Sequence, residues 1–305
     1  RYSDKEICEL SVLTRATTPA SVQNYVPLRC TTEKICMTNG KDCDNFAGHK
    51  EVDKINLPGN SDAAARKIEE ISANAMYDCW SVMGQGKLDL FGTFWTELGL
   101  AGNSDKSTCV ICSRLAISKD VGKEVLEKVD INNYIEKNNI PGSKLTYIQT
   151  FTNKGTKTFV RITVQNKAAE FGSNFKQKED LGSKLKGLEN NGELAFVFMQ
   201  IKTKSYEEVF ANLGKAGIAG GAFMLPVFGK YLINPFVIGG GLILGGGVAY
   251  RAYENVKQSQ IAAAGYCGEF ESSETEAVRG CSLVQAVPYD ENYINELCGV
   301  VQGNE

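Results

Sequence analysis

The sequence lacks most of the side chains on which common catalytic and metal sites are built. It has one histidine, His49, in 305 residues, in a polar loop where a surface role is favoured over that of a general base. Without a second histidine, no mixed Cys/His zinc site and no Ser/His or Cys/His catalytic arrangement is expected elsewhere. One C-x-x-C motif is present, at Cys109 and Cys112, whereas a zinc ribbon needs two. No N-x-S/T sequon occurs, so N-glycosylation is not supported. We therefore expect a non-enzymatic protein without a cofactor or metal.

A large net charge is also missing. The formal net charge is −3, which gives no case for nucleic acid as a partner. The charge is uneven, because residues 101–191 carry fifteen Lys/Arg against ten Asp/Glu, while residues 264–305 carry one arginine against eight acids. Either these segments are separately solvated, or they contact each other within or between subunits.

Cysteine, in contrast, is abundant and even in number. Free thiols at this density would be a liability in an oxidising compartment, where five disulfides would each contribute roughly 2–4 kcal/mol. We therefore expect an exported protein, located outside the cell or at its surface. The chain starts at Arg1 without a hydrophobic leader, which suggests removal or omission of a signal or anchor. The disulfide candidates are Cys8, Cys30, Cys36, Cys43, Cys79, Cys109, Cys112, Cys267, Cys281 and Cys298.

Spacing alone does not define the disulfide connectivity. Cys36 and Cys43 flank an Asn-Gly turn and form a natural local pair, and Cys8 with Cys30 is a second expectation. Cys109 and Cys112 fall on a predicted strand over residues 109–117, where residues three apart point to opposite faces. One of them is expected to face the helix that carries Cys79. A structural role is favoured over redox catalysis because the motif does not open a helix.

The remaining pattern predicts an α+β fold, disulfide-stapled, with small mixed sheets, amphipathic helices and a long Gly-rich apolar helical hairpin. We predict helices over 62–83, capped by Asp62, over 120–139, from Ser205 and over 251–264. We also predict a β-hairpin over 145–165, a buried strand over 193–202 and a strand over 281–289. The predicted domains are a β-rich region 1–58, an α+β core 59–204 with a polar linker near 166–192, the hairpin 205–264 and an acidic module 265–305.

The hairpin prediction rests on the stretch 214–250, which holds eleven of the thirty-one glycines and, apart from Lys230, no charge after residue 215. Residues 231–250 are long enough for one membrane span. A single crossing would leave seven cysteines on one side and three on the other, so zero or two crossings are favoured. The arms 216–229 and 236–250 would each be roughly 21–23 Å long as helices, short of the ~30 Å hydrocarbon core.

Glycine would let these two arms approach each other closely, as small residues do in membrane helix interfaces. We prefer a hairpin buried between subunits or in the core over a membrane-inserted hairpin, and both over a single span. The contact residues are predicted to be Gly217, Gly220, Gly221, Pro226, Lys230, Pro235, Gly239, Gly240, Gly241, Gly245, Gly246 and Gly247.

Three short segments carry a family resemblance. AMYDCWSVMGQGKLDLFG (75–92), CVICSRLAIS (109–118) and CSLVQAVPYD (281–290) resemble hypothetical membrane-anchored, secreted-type proteins of archaea, especially of small-genome symbiotic lineages. The resemblance implies a cysteine-bearing part outside the cell and an N-terminal hydrophobic segment, which this sequence does not contain. It implies no activity, catalytic residue or cofactor.

These observations lead to a functional hypothesis. We expect a structural protein that forms a homo-oligomeric filament or tube through the glycine-rich hairpin, with copies of itself as partner. The alternatives are a membrane-inserting or pore-forming protein, with lipid as partner, and a thiol–disulfide oxidoreductase that uses Cys109 and Cys112.

Overall fold

The computed structural model describes residues 2–91, 107–151, 159–162, 192–202, 241–244, 247–248, 252–253, 260–261, 263–271, 278–289, 291, 294 and 298–303. The helices are α1 (Tyr2–Thr17), α2 (Ala20–Gln23), α3 (Ser61–Val82), α4 (Lys123–Leu126), α5 (Ile131–Lys137) and α6 (Tyr147–Phe151). The strands are β1 (Glu33–Thr38), β2 (Asp53–Asn56), β3 (Ser107–Ile117), β4 (Phe159–Ile162), β5 (Glu193–Lys202), β6 (Gly241–Leu244), β7 (Gly247–Val248), β8 (Ala252–Tyr253), β9 (Gln260–Ile261), β10 (Ala263–Phe270), β11 (Val278–Pro288) and β12 (Cys298–Gln302).

A seven-stranded mixed sheet organises the fold. Its order is β10-β11-β5-β3-β1-β2, and β12 pairs with the first half of β3. The β3 strand runs parallel to β1 and β12 and antiparallel to β5. The architecture is thus α+β as predicted, but strands distant in sequence join one large sheet rather than several small ones, with separate small sheets formed by β4-β6-β7 and β8-β9.

One face of this sheet is covered by helices. Leu115 of β3, Phe196 and Phe198 of β5 and Val284 of β11 are buried in one apolar core with side chains of α1, α3, α5 and α6. Trp80 of α3 is fully buried there, with its ring centroid 6.0 Å from Phe151 and 6.1 Å from Phe198. Burial of these large side chains is the main stabilising contribution to the fold.

The helix α3 follows its sequence pattern closely. Apolar residues at three- and four-residue steps face the sheet, so the prediction of a helix over 62–83 is confirmed. The predicted cap is wrong by two residues, because Asn60 rather than Asp62 accepts the backbone N–H groups of residues 62 and 63. After α3, Gly86 has φ +69°, and a Cβ there would lie 2.2 Å from the Trp80 ring.

The middle of β3 contains a β-bulge. Its pairing with β5 moves from Ile111–Val197 to Ser113–Phe196, which leaves Cys112 as the extra residue. The strand was predicted over 109–117, and the alternation that the prediction used is interrupted here. Because of the bulge, Val110 and Leu115 both face the helices although they are five residues apart.

Other secondary-structure predictions need correction. The N-terminal region begins with the helix α1, although β structure was predicted, and its two strands start only at residue 33. Residues 147–151 of the predicted β-hairpin are helical, and residues 120–139 form α4 and α5 separated by a break. The predicted helix 251–264 contains β8, β9 and the start of β10, because pairing with neighbouring strands overrides the helix propensity of its alanines.

The helical hairpin is wrong where the structure describes it. Residues 241–244 and 247–248, in the second predicted arm, form antiparallel strands β6 and β7. Glycine costs about 1 kcal/mol per position in a helix relative to alanine, which disfavours a helix through two triglycines. The first arm 216–229, the turn at Lys230 to Pro235 and the predicted helix from Ser205 lie outside the described residues.

Candidate functional site

Four disulfides tie the described elements together. Cys36–Cys43 and Cys8–Cys30 are both present, as predicted. The C-x-x-C cysteines have separate partners, because Cys79 bonds Cys112 on the helical face and Cys109 bonds Cys298. The expectation that only one cysteine of the motif faces the α3 helix is therefore confirmed. These bonds indicate an oxidising environment.

The predicted assembly residues lie almost entirely outside the described part. Of that set, Gly241 falls in β6 and Gly247 in β7. The others lie outside the described residues: Gly217, Gly220, Gly221, Pro226, Lys230, Pro235, Gly239, Gly240, Gly245 and Gly246. The backbone of Cys267 is paired directly opposite that of Cys281 in the β10–β11 ladder.

Exposed apolar side chains are concentrated on α1, on β12 and in and just after α2. In the described part of the chain, eight large apolar side chains are exposed; six of them are on these three elements, and a seventh follows α2. Leu10 is the most exposed on α1, at 66%, and Tyr25 after α2 is 68% exposed. We call this set the outer apolar surface: Ile7, Leu10, Leu13, Val22, Tyr25, Val300 and Val301.

Arg15 joins the three elements that carry the outer apolar surface. Its guanidinium donates to Gln302 on β12 at 2.5 Å and to Asn24 beside α2 at 3.2 Å. Only 2% of Arg15 is exposed, and burial lowers the pKa of its guanidinium to about 10. The buried arginine therefore fixes the position of α1 relative to α2 and β12.

A cleft of about 370 Å³ lies between α1 and α3, above the bulge in β3. Two disulfides line it, Cys8–Cys30 and Cys79–Cys112. Ser113, next to the bulge, also lines it, and its buried hydroxyl makes no hydrogen bond to the residues that the structure describes. The cleft thus combines a sulfur-rich interior with the Ser113 hydroxyl, which has no hydrogen-bond partner in the part of the chain that the structure describes.

The charged side chains that line this cleft give it a net negative charge. Lys5 of α1 binds Asp78 of α3 at 2.5 Å across the two walls, with both side chains about half exposed. Four carboxylates and two lysines line the cleft in total, which leaves two negative charges in excess: Asp4, Glu33, Glu51 and Asp78 against Lys5 and Lys34.

Sequence reasoning missed both the outer apolar surface and the cleft. The spacing of Ile7, Leu10 and Leu13, each three residues apart, was a usable helical signal on α1. The cleft had no signal, because its walls come from α1 and α3 and its interior from the bulge in β3.

No known protein family matches this sequence, and no curated protein or solved structure matches it. Within the described ranges, none of the helices combines the length and hydrophobicity that a bilayer crossing requires. The same residues contain no cluster of three or more potential metal-ligating side chains.

Proposed function

We propose that the protein is an exported structural component of the cell surface that associates with copies of itself. The observation that carries this proposal is the concentration of seven exposed apolar side chains on α1, on β12 and in and just after α2. Exposed apolar side chains that are concentrated on neighbouring elements mark interaction sites more often than singly scattered ones do. The disulfides support the extracellular location, because such bonds persist in oxidising compartments.

A second copy of the chain is the partner that the chemistry favours. Apolar side chains make up the outer apolar surface, with the exposed carboxylates of Glu6 and Glu9 beside them on α1, so it suits another apolar surface rather than an anionic ligand. Its position on α1, α2 and β12, held together by Arg15, makes it a preformed surface. We propose the glycine-rich stretch 214–250 as a second contact that extends the assembly into a filament or tube.

The oligomeric state of the native protein tests this proposal. Light scattering across a concentration series should show association that weakens when Leu10→Glu is combined with Leu13→Glu. The matched control is Leu145→Glu, because Leu145 is 38% exposed but lies outside the outer apolar surface. We expect the control to associate like the wild type.

Deletion of 214–250 tests the second contact separately. Negative-stain microscopy should show loss of extended assemblies, with small oligomers through the outer apolar surface retained. A full-length wild-type protein that stays monomeric at all concentrations, with native disulfides, would contradict the proposed function.

A membrane-inserting or pore-forming role is the second candidate. It is favoured by the uncharged run 231–250, whose length suits a span. Leakage of dye from liposomes, abolished by the deletion of 214–250, would support it over self-assembly. The resemblance to membrane-anchored archaeal proteins fits both candidates and stays a proposal.

The oxidoreductase hypothesis requires a bond between Cys109 and Cys112 that forms and breaks during the reaction. Each of these two cysteines is bonded to a different cysteine instead.

A further inference from the structure

We propose that the Cys79–Cys112 disulfide is a site of thiol–disulfide exchange, which neutral and cationic small thiols reach through the cleft between α1 and α3. This chemistry is independent of self-association, because none of the residues of the outer apolar surface lines the cleft.

Exposure distinguishes this disulfide from the other three. Seven of the eight cysteines in the described disulfides are at most 6% exposed, whereas Cys112 is only partly buried. Exchange requires a thiolate to reach a disulfide sulfur, so its rate depends on access. Cys112 is the one cysteine of this set that meets the requirement.

The bulge in β3 and the cleft above it explain this access. Cys112 is the extra residue of the bulge, so it is displaced from the regular ladder. The cleft of about 370 Å³ is within the range of roughly 300–1,000 Å³ that holds small ligands. A thiol of a few heavy atoms therefore fits between α1 and α3.

The exchange proceeds in two balanced steps. A thiolate RS⁻ attacks Sγ of Cys112, the RS–Sγ bond forms, the Cys79–Cys112 bond breaks, and Cys79 leaves as a thiolate that takes a proton from water. A second RS⁻ then attacks the thiol's own sulfur in the mixed disulfide, which releases RSSR and the Cys112 thiolate. Two electrons pass from two thiols to the protein disulfide.

The position of Cys79 makes the first step readily reversible. Cys79 lies in the last turn of α3, and the packing of this helix on the sheet keeps it beside Cys112 after the bond opens. The Cys79 thiolate therefore tends to attack the mixed disulfide and restore the native bond. A trapping reagent or a second thiol is needed to observe the open form.

The net negative charge of the cleft selects among thiols. Four carboxylates against two lysines favour entry of a cation and disfavour an anion, and salt screens this effect. Cysteamine should therefore react faster than its intrinsic reactivity predicts, and 3-mercaptopropionate more slowly. The neutral 2-mercaptoethanol serves as the reference.

The first test is partial reduction of the native protein by 2-mercaptoethanol, followed by alkylation and peptide mass spectrometry. Cys79 and Cys112 should be alkylated roughly tenfold faster than the other described cysteines. The variant with Cys79→Ser and Cys112→Ser should lose this early labelling while keeping the other bonds. Earlier opening of Cys8–Cys30, Cys36–Cys43 or Cys109–Cys298 would overturn the proposal.

The second test addresses the charge of the cleft. The variant with Glu33→Gln and Glu51→Gln should slow opening by cysteamine roughly threefold at low salt and leave the 2-mercaptoethanol rate unchanged. Glu9→Gln with Glu127→Gln is the matched control, since both glutamates lie outside the cleft. An equal cysteamine rate in the cleft variant and the control would refute entry through the cleft.

Discussion

The two long helices α1 and α3 are each held by one disulfide, but their apolar side chains are buried to different extents. Cys8–Cys30 joins α1 to the segment before β1, and Cys79–Cys112 joins α3 to β3. The α3 helix buries its large apolar residues, whereas α1 buries Val12 completely and leaves Leu10 66% exposed on its other side. The apolar side of α3 is thus covered within the monomer, whereas α1 keeps an exposed apolar side that is available to a partner.

The largest expected effect comes from the buried side of α3. Trp80→Ala should lower the free energy of unfolding by about 3–5 kcal/mol, because it leaves a cavity between Phe151 and Phe198. Leu10→Ala on α1 should leave the unfolding of the monomer nearly unchanged. Urea denaturation at low protein concentration measures both. A comparable loss in Leu10→Ala would mean that the outer side of α1 is packed within the monomer.

Removal of either helix disulfide should have the next largest effect. The bonds close loops of similar length, with sequence separations of 22 and 33 residues, so each should contribute about 3–4 kcal/mol through the entropy of the unfolded chain. Paired Cys→Ser variants at 8/30 and 79/112, compared by denaturant titration, test this. If removal of only one pair lowers the free energy of unfolding, the two disulfides do not contribute equally to holding the helices.

A fifth disulfide should join β10, at one edge of the large sheet, to its neighbour β11. The register places Cys267 opposite Cys281 in the antiparallel β10–β11 ladder, and cross-strand neighbours are close enough for a bond. A non-reduced peptide map should contain the two joined, and loss of both thiols should cost roughly 3 kcal/mol. Free thiols at both positions in the native protein would contradict this.

Tyr147 reports on packing against the buried side of α3. Its hydroxyl donates to Asn74 of α3 at 2.6 Å, and burial raises its pKa to about 12. Because the folded pKa is above the unfolded value, this contribution, roughly 2–3 kcal/mol, is present below pH ~10 and is lost as the pH rises towards 12. Ultraviolet titration should show a phenol that ionises near pH 12, which Tyr147→Phe removes.

The smallest expected effect is at the start of α3. Asn60→Ala removes the acceptor for two backbone N–H groups and should cost roughly 1 kcal/mol. Asp62→Ala should cost less, because Asp62 is not the cap. Thermal unfolding compares the stability of the two variants. A larger loss of stability for Asp62→Ala would show that Asp62, as the sequence suggested, is the N-cap.

Local pattern was sufficient for some elements and not for others. The α3 helix and the strands β5 and β11 were predicted because their apolar residues recur with one clear period or form a continuous buried run. The α1 helix was missed because apolar residues on both of its sides obscure the period. The α6 helix was taken for a strand, although its buried residues Tyr147, Ile148 and Phe151 have helical spacing.

In the glycine-rich stretch, helices were predicted where the described residues form strands. Its length and lack of charge favoured helical arms, but the described segments 241–244 and 247–248 are strands. Hydrophobicity indicates burial without specifying backbone conformation, and glycine weakens helices in particular.

The sequence by itself determined the oxidising environment, the α+β class, two local disulfides and the opposite orientations of Cys109 and Cys112, because these depend on composition, short spacing and strand alternation. Only the tertiary structure decided that Cys112 bonds Cys79, that a bulge in β3 opens a cleft above that bond, and that the outer side of α1 stays uncovered. Each of these depends on contacts between residues far apart in the chain, which no local pattern encodes.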